Sequence, residues 1–309
     1  MNAQATPNAF SVDLEDWFQG LTSTNPSVDR WPSLESRVAP ATRRLLKLLR
    51  KYDVKATFFV LGYVANERPG LIREIRDDGH EIASHGYYHR FVYKLTQQEF
   101  YQDLVMTSDA IERATGERPT GFRAPYFSVN DSTPWAFDTI AAAGMDYDAS
   151  VFPTRNMLYG WPGAPRFPYI VQHAGIMEYP ASTIRFGGLP VPVSGGFYMR
   201  VLPYSLVQRA LRSLNNQGQP AIMYLHPWEL DVDQDYPHVT ARERITHYYG
   251  RSGLEAKLHK LFTDFRFTTI GNLYTCEAAG DLRAPAIYCA DRPEPKSVPA
   301  KSASLGSLP

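Results

Sequence analysis

Two histidines four residues apart, His85 and His89, are the first candidates for metal chemistry in this chain. On a helical turn this spacing puts both imidazole rings on one face, close enough to share a metal ion. The pair alone is weak evidence, since the same spacing also occurs on solvated surfaces. However, an Asp-Leu-Glu-Asp run lies upstream at 13–16, and a third histidine, His226, lies far downstream. Together these residue types predict a hydrolytic metal centre.

The candidate residues fall at corresponding points of an alternating strand and helix pattern. Apolar runs predict strands at 9–12, 55–61, 80–84, 121–124, 145–148, 221–225 and 265–270. Amphipathic and capped segments predict helices at 40–51, 68–78, 96–115, 133–143, 202–215 and 253–262. This alternation predicts an α/β fold with a parallel sheet, whose ligands gather at the C-terminal ends of the strands. Asp13, His85, Arg123, Asp148 and His226 all lie at or directly after the end of a predicted strand.

The domain organisation is read from shifts in composition. Residues 1–8 are polar and small and predict a flexible lead-in, followed by a catalytic domain at 9–280. Within that domain, a Pro- and Gly-rich insertion at about 152–203 predicts short strands and loops that cover one side of a barrel. Residues 281–309 are rich in Pro, Ala, Ser and Lys, which predicts a disordered tail.

Charge and hydropathy exclude some functions. The 309 residues include 32 basic and 32 acidic side chains, a balance that argues against nucleic-acid binding. No apolar stretch is long enough for a transmembrane segment. The N-terminal residues show no secretory signal, so we expect a cytoplasmic protein, or a periplasmic one if a leader was removed. Cys276 and Cys289 form no disulfide framework, and we expect both thiols to be free.

Six segments in order resemble the NodB-type polysaccharide deacetylases, carbohydrate esterase family 4. They are residues 10–18, 56–62, 79–89, 121–125, 147–153 and 224–231, so the resemblance covers most of the chain. The Asp-x-Glu-Asp-Trp motif at 13–17 is similar to a bacterial branch found near exopolysaccharide export genes. The resemblance implies a NodB homology domain, which is a distorted (β/α) barrel with seven or eight strands. It also implies removal of N-acetyl groups from N-acetylhexosamine units of a bacterial polysaccharide or its precursor.

The resemblance implies a divalent metal, with zinc favoured and cobalt, nickel or manganese as alternatives. His85 and His89 would supply two nitrogen ligands. Most of the family has two adjacent aspartates in the first motif, whereas this chain has Asp13, then Glu15 and Asp16. Strand alternation puts Asp13 and Glu15 on one face, which favours Asp13 as general base and Glu15 as the metal carboxylate. Asp16 stays open as the competing ligand, because a turn could bring it inward.

Further catalytic roles follow from the same resemblance. His226 would be the general acid that protonates the leaving amine, and Arg123 would pair with the base carboxylate, fixing its rotamer and lowering its pKa. Tyr126 stands where the family uses a backbone N–H to hold the oxyanion. Asp148 would either orient His226 or cap a backbone turn, and its residue type does not separate these two roles.

The expected partner is an N-acetylated glycan, with association with an exopolysaccharide synthesis or export complex as a further expectation. Trp17, Trp228, Phe197 and Pro125 are candidates for the substrate-binding surface, although aromatic rings of this kind equally fill cores. Two alternatives stay open: a cyclic imidase or allantoinase-like amidohydrolase, and a catalytically inactive glycan-binding barrel. The complete set of histidines and carboxylates favours the deacetylase over both.

Overall fold

The computed structural model of the chain describes residues 7–155, 159–278 and 286–288. Its strands are β1 (Asn8–Leu14), β2 (Thr57–Val60), β3 (Glu81–Ser84), β4 (Gly121–Phe122), β5 (Tyr147–Asp148), β6 (Tyr169–Val171), β7 (Ile176–Glu178), β8 (Thr183–Phe186), β9 (Leu189–Pro192), β10 (Ile222–Leu225), β11 (Phe267–Thr268) and β12 (Ala286–Tyr288). Its helices are α1 (Val38–Lys51), α2 (Gly62–Glu67), α3 (Pro69–Asp77), α4 (Gln97–Thr115), α5 (Trp135–Ala142), α6 (Gly196–Val201), α7 (Tyr204–Asn215), α8 (Ala241–Glu243), α9 (Leu254–Asp264) and α10 (Ile270–Ala278).

One large sheet organises the molecule, with β1 second from one end of its strand order. Its strand order is β10-β1-β2-β3-β4-β5-β7-β6-β12, and β11 pairs with the start of β1. Ser11 of β1 lies opposite Thr57 on one side and Tyr224 on the other. The ladders of this sheet are parallel except the antiparallel one between β6 and β7. The predicted α/β fold with a mostly parallel sheet is therefore confirmed.

The two sides of the sheet approach each other without forming a continuous ladder in the described residues. No pairing joins β10 to β7, but Ser182, which follows β7, bridges the gap. Its N–H donates to the carbonyl of Ile222 at 3.4 Å, and its Oγ accepts from the Ile222 N–H at 2.7 Å. These two hydrogen bonds bring the β10 side of the sheet next to the segment after β7.

Burial on both faces explains the apolar strands. Every residue of β1, β2 and β10 is buried, as expected for parallel strands covered by helices. Leu45, Leu46 and Leu49 of α1 contribute to the largest apolar cluster. Helix α4 begins at a capping box of Thr96 and Glu99, as predicted, which fixes the entry of the chain into the helix.

Two features of the domain organisation differ from the sequence prediction. The lead-in ends earlier than expected, because Asn8 already belongs to β1 and its side chain donates to and accepts from Asn215. The insertion at 152–203 does more than cover the barrel, since β6 and β7 extend the main sheet and only β8 and β9 form a separate hairpin. Its residues 156–158 lie outside the described residues.

The predicted disordered tail lies outside the described residues except for β12. Residues 286–288 form this strand, contrary to the prediction, and pair with β6. The ring of Tyr288 packs edge-on against Tyr169, with centroids 5.4 Å apart, which anchors the strand. Cys276 has a free thiol, whereas Cys289 lies outside the described residues. None of the described helices combines the length and apolarity needed to cross a bilayer.

Candidate active site

Glu15, His85 and His89 come together at the C-terminal ends of β1 and β3. One potential ligand atom from each of the three lies within 4.8 Å of the other two, and all three residues are buried. Oε2 of Glu15 is 2.7 Å from Nε2 of His89. Among the described residues, the buried Nδ1 of His89 has no hydrogen-bond partner. A buried carboxylate beside two imidazoles is a donor set that fits a divalent cation.

The orientation of His85 suits metal binding. Its Nδ1 lies 2.8 Å from the carbonyl oxygen of Arg123, so Nδ1–H donates and Nε2 carries the lone pair toward Glu15 and His89. Burial is the main reason that the pKa of His85 falls to about 4, and the imidazole is therefore neutral at neutral pH. Burial alone would raise the pKa of Glu15, but the charges of His89 and His226 lower it below its ordinary value.

The histidine pair does not lie on a helix, in contrast to the simple reading of its spacing. The chain after β3 turns through Gly86 at φ +73° and reaches His89 at φ +53°. A Cβ on Gly86 would approach Oδ2 of Asp103 to 2.8 Å, and that oxygen accepts the N–H of Tyr87. A left-handed turn held by Asp103 therefore brings the two rings together, with centroids 5.2 Å apart.

Asp16 faces away from this cluster and holds the start of α1. Its Oδ1 accepts from the N–H groups of Trp17 and Arg37 at 3.0 and 3.1 Å, and its Oδ2 accepts from Val38 at 3.3 Å. Burial raises the pKa of Asp16 despite these bonds. Of the two carboxylates that the sequence left open, only Glu15 lies with the histidines, and Asp16 caps a helix instead.

Asp13 is fixed by Arg123 at the floor of the site. NH1 of Arg123 donates to Oδ1 of Asp13 at 2.7 Å and to Oγ of Ser11 at 2.9 Å, while its Nε donates to the carbonyl of Ala149. The guanidinium is fully buried and lies 4.1 Å from the ring centroid of Phe59. The predicted pairing of Asp13 with Arg123 is thus present, and it leaves Oδ2 of Asp13 directed toward the opening.

His226 lies opposite Asp13 and Glu15, at the end of β10. Its Nε2 is 3.4 Å from Oε1 of Glu15 and 3.9 Å from Oδ2 of Asp13. Its Nδ1 is 2.9 Å from Oε1 of Glu229, whose Oε2 accepts from Nε of Arg200 at 2.7 Å. Burial disfavours the imidazolium, but the charges of Glu15 and Glu229 outweigh burial and raise the pKa of His226 to about 9.

Asp148 accepts hydrogen bonds from the backbone of Ala149 and Ser150, which fits the turn cap, one of the two roles left open for it, whereas Nδ1 of His226 pairs with Glu229. Asp148 lies opposite Glu178 in the register of β5 and β7, and it accepts a hydrogen bond from Oγ of Ser150. Burial raises the pKa of Asp148 to about 6, and burial with the charge of Asp148 raises that of Glu178 further. The two carboxyls thus form a buried pair inside the sheet, because adjacent parallel strands place them side by side.

Tyr126 lines the cleft beside His89. The residue has φ +56°, and its ring lies 4.3 Å from that of His89. Its hydroxyl donates to the carbonyls of Gln19 and Leu21, so the side chain ties two loops together. The oxyanion role predicted for its backbone N–H stays a prediction.

Of the four predicted substrate-binding residues, only Phe197 presents a half-buried ring to the cleft. Trp17 packs against Phe18 in a separate aromatic cluster, and Pro125 is buried below Gly86. Trp228 reaches the cleft with an edge, but His226 and His247 stack on it at centroid distances of 4.8 and 3.7 Å. Trp17, Trp228 and Pro125 are buried, and the substrate-binding role of all four residues stays a prediction.

Four further functional candidates have no assigned role in the sequence. Glu229 lies in a matching segment without a role, and His247, Arg200 and Arg242 carry no signal. All four line a cavity of about 200 Å³ above the histidine cluster, together with Tyr159 and Tyr198. The available clue was the spacing of His226 and Glu229. Two side chains that are three positions apart on a helical turn lie close together.

Comparisons with known proteins divide the chain into two parts. Residues 28–147 match the family model Polysaccharide deacetylase, and residues 149–275 match Domain of unknown function (DUF3473). The crystal structure of a candidate polysaccharide deacetylase from Mycobacterium smegmatis has a TM-score of 0.63 at 22% identity, covering 95% of this chain and 96% of that one. That similarity supports the fold.

Two curated relatives share part of the sequence. Peptidoglycan-N-acetylglucosamine deacetylase PgdA of Listeria monocytogenes is 39% identical over 89 residues, which is 29% of this chain and 19% of that protein. Peptidoglycan-N-acetylglucosamine deacetylase of Bacillus cereus is 29% identical over 146 residues, 43% of this chain and 50% of that protein. The chain therefore spans between a fifth and a half of the length of these relatives. Together with the family model that matches residues 28–147, these relatives show that this part of the chain is similar to polysaccharide deacetylases.

Proposed function

We propose that this protein is a metal-dependent N-deacetylase acting on N-acetylhexosamine units of a bacterial polysaccharide or its precursor. The observation that carries the proposal is the convergence of Glu15, His85 and His89 beside Asp13 and His226. Glu15, His85 and His89 would hold a divalent ion, which when bound would polarise an acetyl carbonyl and lower the pKa of a water molecule. Zinc is the ion that this ligand set favours, with cobalt, nickel and manganese as alternatives.

Asp13 acts as the general base in this proposal. Arg123 holds one oxygen of its carboxylate at 2.7 Å, so the second oxygen has a fixed direction into the cleft. A base must lie within hydrogen-bond reach of the proton it accepts, and a carboxylate with a locked rotamer meets that demand without further reorganisation. Arg123 is thus a positioning residue, while Asp13 accepts the proton of the attacking water.

His226 acts as the general acid. Its Nε2 lies 3.9 Å from Oδ2 of Asp13. The base and the acid can therefore both reach the same acetamido group. Glu229 accepts the bond from Nδ1–H and fixes the ring, which leaves the proton on Nε2 to be donated to the nitrogen of the leaving amine. This completes hydrolysis of the amide to acetate and a free amino sugar.

We infer an exopolysaccharide as the setting, with an association with its synthesis or export complex. Support comes from the Asp-x-Glu-Asp-Trp motif at 13–17, which resembles the exopolysaccharide-associated branch. The last three residues of this motif have different surroundings. Glu15 lies with the histidines, Asp16 caps α1, and Trp17 packs in the core. Acetate release from that polymer, compared with peptidoglycan, tests the assignment directly.

The experiment measures bound metal and acetate release from N-acetylglucosamine oligomers for three variants. His85→Ala should lose stoichiometric metal and activity together. His226→Ala should keep the metal but lose about 10²- to 10⁴-fold in rate, the range that a positioned general acid contributes. His259→Ala is the matched control, because His259 bonds to Tyr52 away from the cleft and should change neither value. Metal retained in the first variant, or full rate in the second, contradicts the proposal.

A further inference from the structure

Among the residues that the structure describes, the cleft contains one cationic side chain without a partner. Three carboxylates line it, and each has a charged or titratable partner at 2.7 Å: Asp13 has Arg123, Glu15 has His89 and Glu229 has Arg200. Arg242 also lines the cleft and is exposed. Within residues 7–155, 159–278 and 286–288, its guanidinium has no hydrogen bond or ion pair; only its carbonyl is used, by Oγ1 of Thr246.

The backbone that carries Arg242 is firmly anchored. Thr240 and Glu243 form a capping box around it, so Arg242 lies in the single turn of α8. Oε1 of Glu243 also accepts the N–H groups of residues 22–24 at 2.7 to 3.0 Å, which ties this turn to the loop after β1. A cation on so well-fixed a segment is preorganised for a ligand, and its placement does not depend on a mobile loop.

Arg244, two residues further along the chain, has a structural role and serves as a comparison. Arg244 donates to Asp235 and to the carbonyl of Tyr236, and so closes the loop that contains it. Arg242 makes no such bond and lies on the side of the cleft that holds Tyr159. Burial and Tyr198 raise the pKa of the Tyr159 hydroxyl, whereas Arg242 lowers it, so the guanidinium is within electrostatic reach of that ring.

We propose that Arg242 binds an anionic substituent, a carboxylate or a phosphate, on the glycan next to the acetylated sugar. The arginine fork presents two parallel donors that match either group, and the half-buried rings of Phe197 and Tyr198 border the same space. The substrate class is therefore an acidic glycan. This inference rests on the proposed deacetylase function. It adds that the residue next to the acetylated sugar carries a negative charge.

The test compares three acetylated substrates at equal length. One is a neutral N-acetylglucosamine oligomer, one alternates N-acetylglucosamine with glucuronate, and one is an N-acetylglucosamine oligomer with a 1-phosphate. We expect wild-type protein to have a higher kcat/KM for the glucuronate or the phosphate substrate than for the neutral one, and the better of the two identifies the source of the anion. Arg242→Gln should lower that preference about tenfold, the loss expected for one charge-assisted pair.

Arg242→Lys should keep part of the preference, because it retains the charge without the fork. Arg209→Gln on the exposed side of α7 removes one positive charge elsewhere and should keep the wild-type preference. An equal loss for all three substrates in Arg242→Gln, or no change, overturns the inference. If no substrate releases acetate, the proposed function is wrong. Dissociation constants of the same oligomers then decide the inference: a preference lost in Arg242→Gln supports it, and unchanged constants overturn it.

Discussion

Glu229 joins His226 to Arg200 through its two carboxylate oxygens. Oε1 lies 2.9 Å from Nδ1 of His226, and Oε2 accepts from Nε of Arg200 at 2.7 Å. Gly196 packs directly against this carboxylate, since a Cβ there would lie 1.7 Å from Oε1. Burial disfavours the anion, yet Arg200 and His226 lower the pKa of Glu229 to about 2. The carboxylate of Glu229 therefore stays ionised, and its contacts with Arg200 and Gly196 fix its position beside the ring of His226.

Glu229→Gln should lower kcat about tenfold or more with little change in KM. The amide can still hydrogen-bond to Nδ1, but it no longer stabilises the charged ring that donates the proton. Steady-state acetate release measures both constants. Glu178→Gln is the matched control, because it replaces another fully buried carboxyl group with an amide, at a position outside the cleft lining. A rise in KM with unchanged kcat would show that Glu229 serves substrate binding instead.

Glu15→Gln and Asp16→Asn should separate two adjacent carboxylates. Glu15→Gln should lose stoichiometric metal while the protein stays folded, because an amide is a poor ligand beside His85 and His89. Asp16→Asn should keep the metal and lose about 1 kcal/mol of stability, as expected for weakening a helix cap. Metal analysis and urea unfolding measure the two effects. Metal loss in Asp16→Asn alone would contradict the assignment.

The sequence predicted the parallel sheet and most of the site because strand ends are local features. Asp13, His85 and His226 follow apolar runs that can only be buried strands, and the topology then brings them to one edge. The choice between Glu15 and Asp16 could not be made, because it depends on N–H groups of residues 37 and 38, about twenty residues away.

Contacts between side chains that are far apart in the sequence could not be predicted either. Glu229 and Arg200 meet only because α6 packs beside the turn after β10, and no sequence pattern links them. The place of Asp148 at a strand end left two roles open, orienting His226 or capping a backbone turn. The neighbour of Asp148 in the sheet, Glu178, lies on a strand that follows a Pro- and Gly-rich segment, where apolar alternation is too short to reveal pairing.

The buried pair of Asp148 and Glu178 should make stability fall as the pH rises. Burial raises the pKa of Asp148 to about 6 and that of Glu178 further, whereas unfolded carboxyls titrate near pH ~4. The folded state therefore binds more protons than the unfolded chain above that pH. The pair's contribution is complete at low pH and is lost as the pH rises through about 6, by up to about 1.4 kcal/mol per pH unit for each proton.

Glu178→Gln should flatten this dependence, because one of the two raised carboxyls no longer titrates. Urea midpoints from about pH 5 to about pH 8, with a chelator present to exclude metal binding, measure the slope. Glu255→Gln is the control, since Glu255 is an exposed partner of Arg44 and should leave the slope as it is. An unchanged slope in Glu178→Gln would show that the pair does not hold a shared proton.

Trp228→Phe should weaken metal binding about 10- to 100-fold, as expected for removing a group that orients a ligand. The indole Nε1–H donates to Oε1 of Glu15 at 3.1 Å, and it directs the other oxygen toward His89. A phenyl ring keeps the stack between His226 and His247 but removes that donor. Competition with a metal indicator measures the affinity. Trp17→Phe removes an indole that donates to a backbone carbonyl at 3.0 Å, so its metal affinity should equal that of wild type. Equal loss in both variants would mean that aromatic packing, and not the bond to Glu15, sets the affinity.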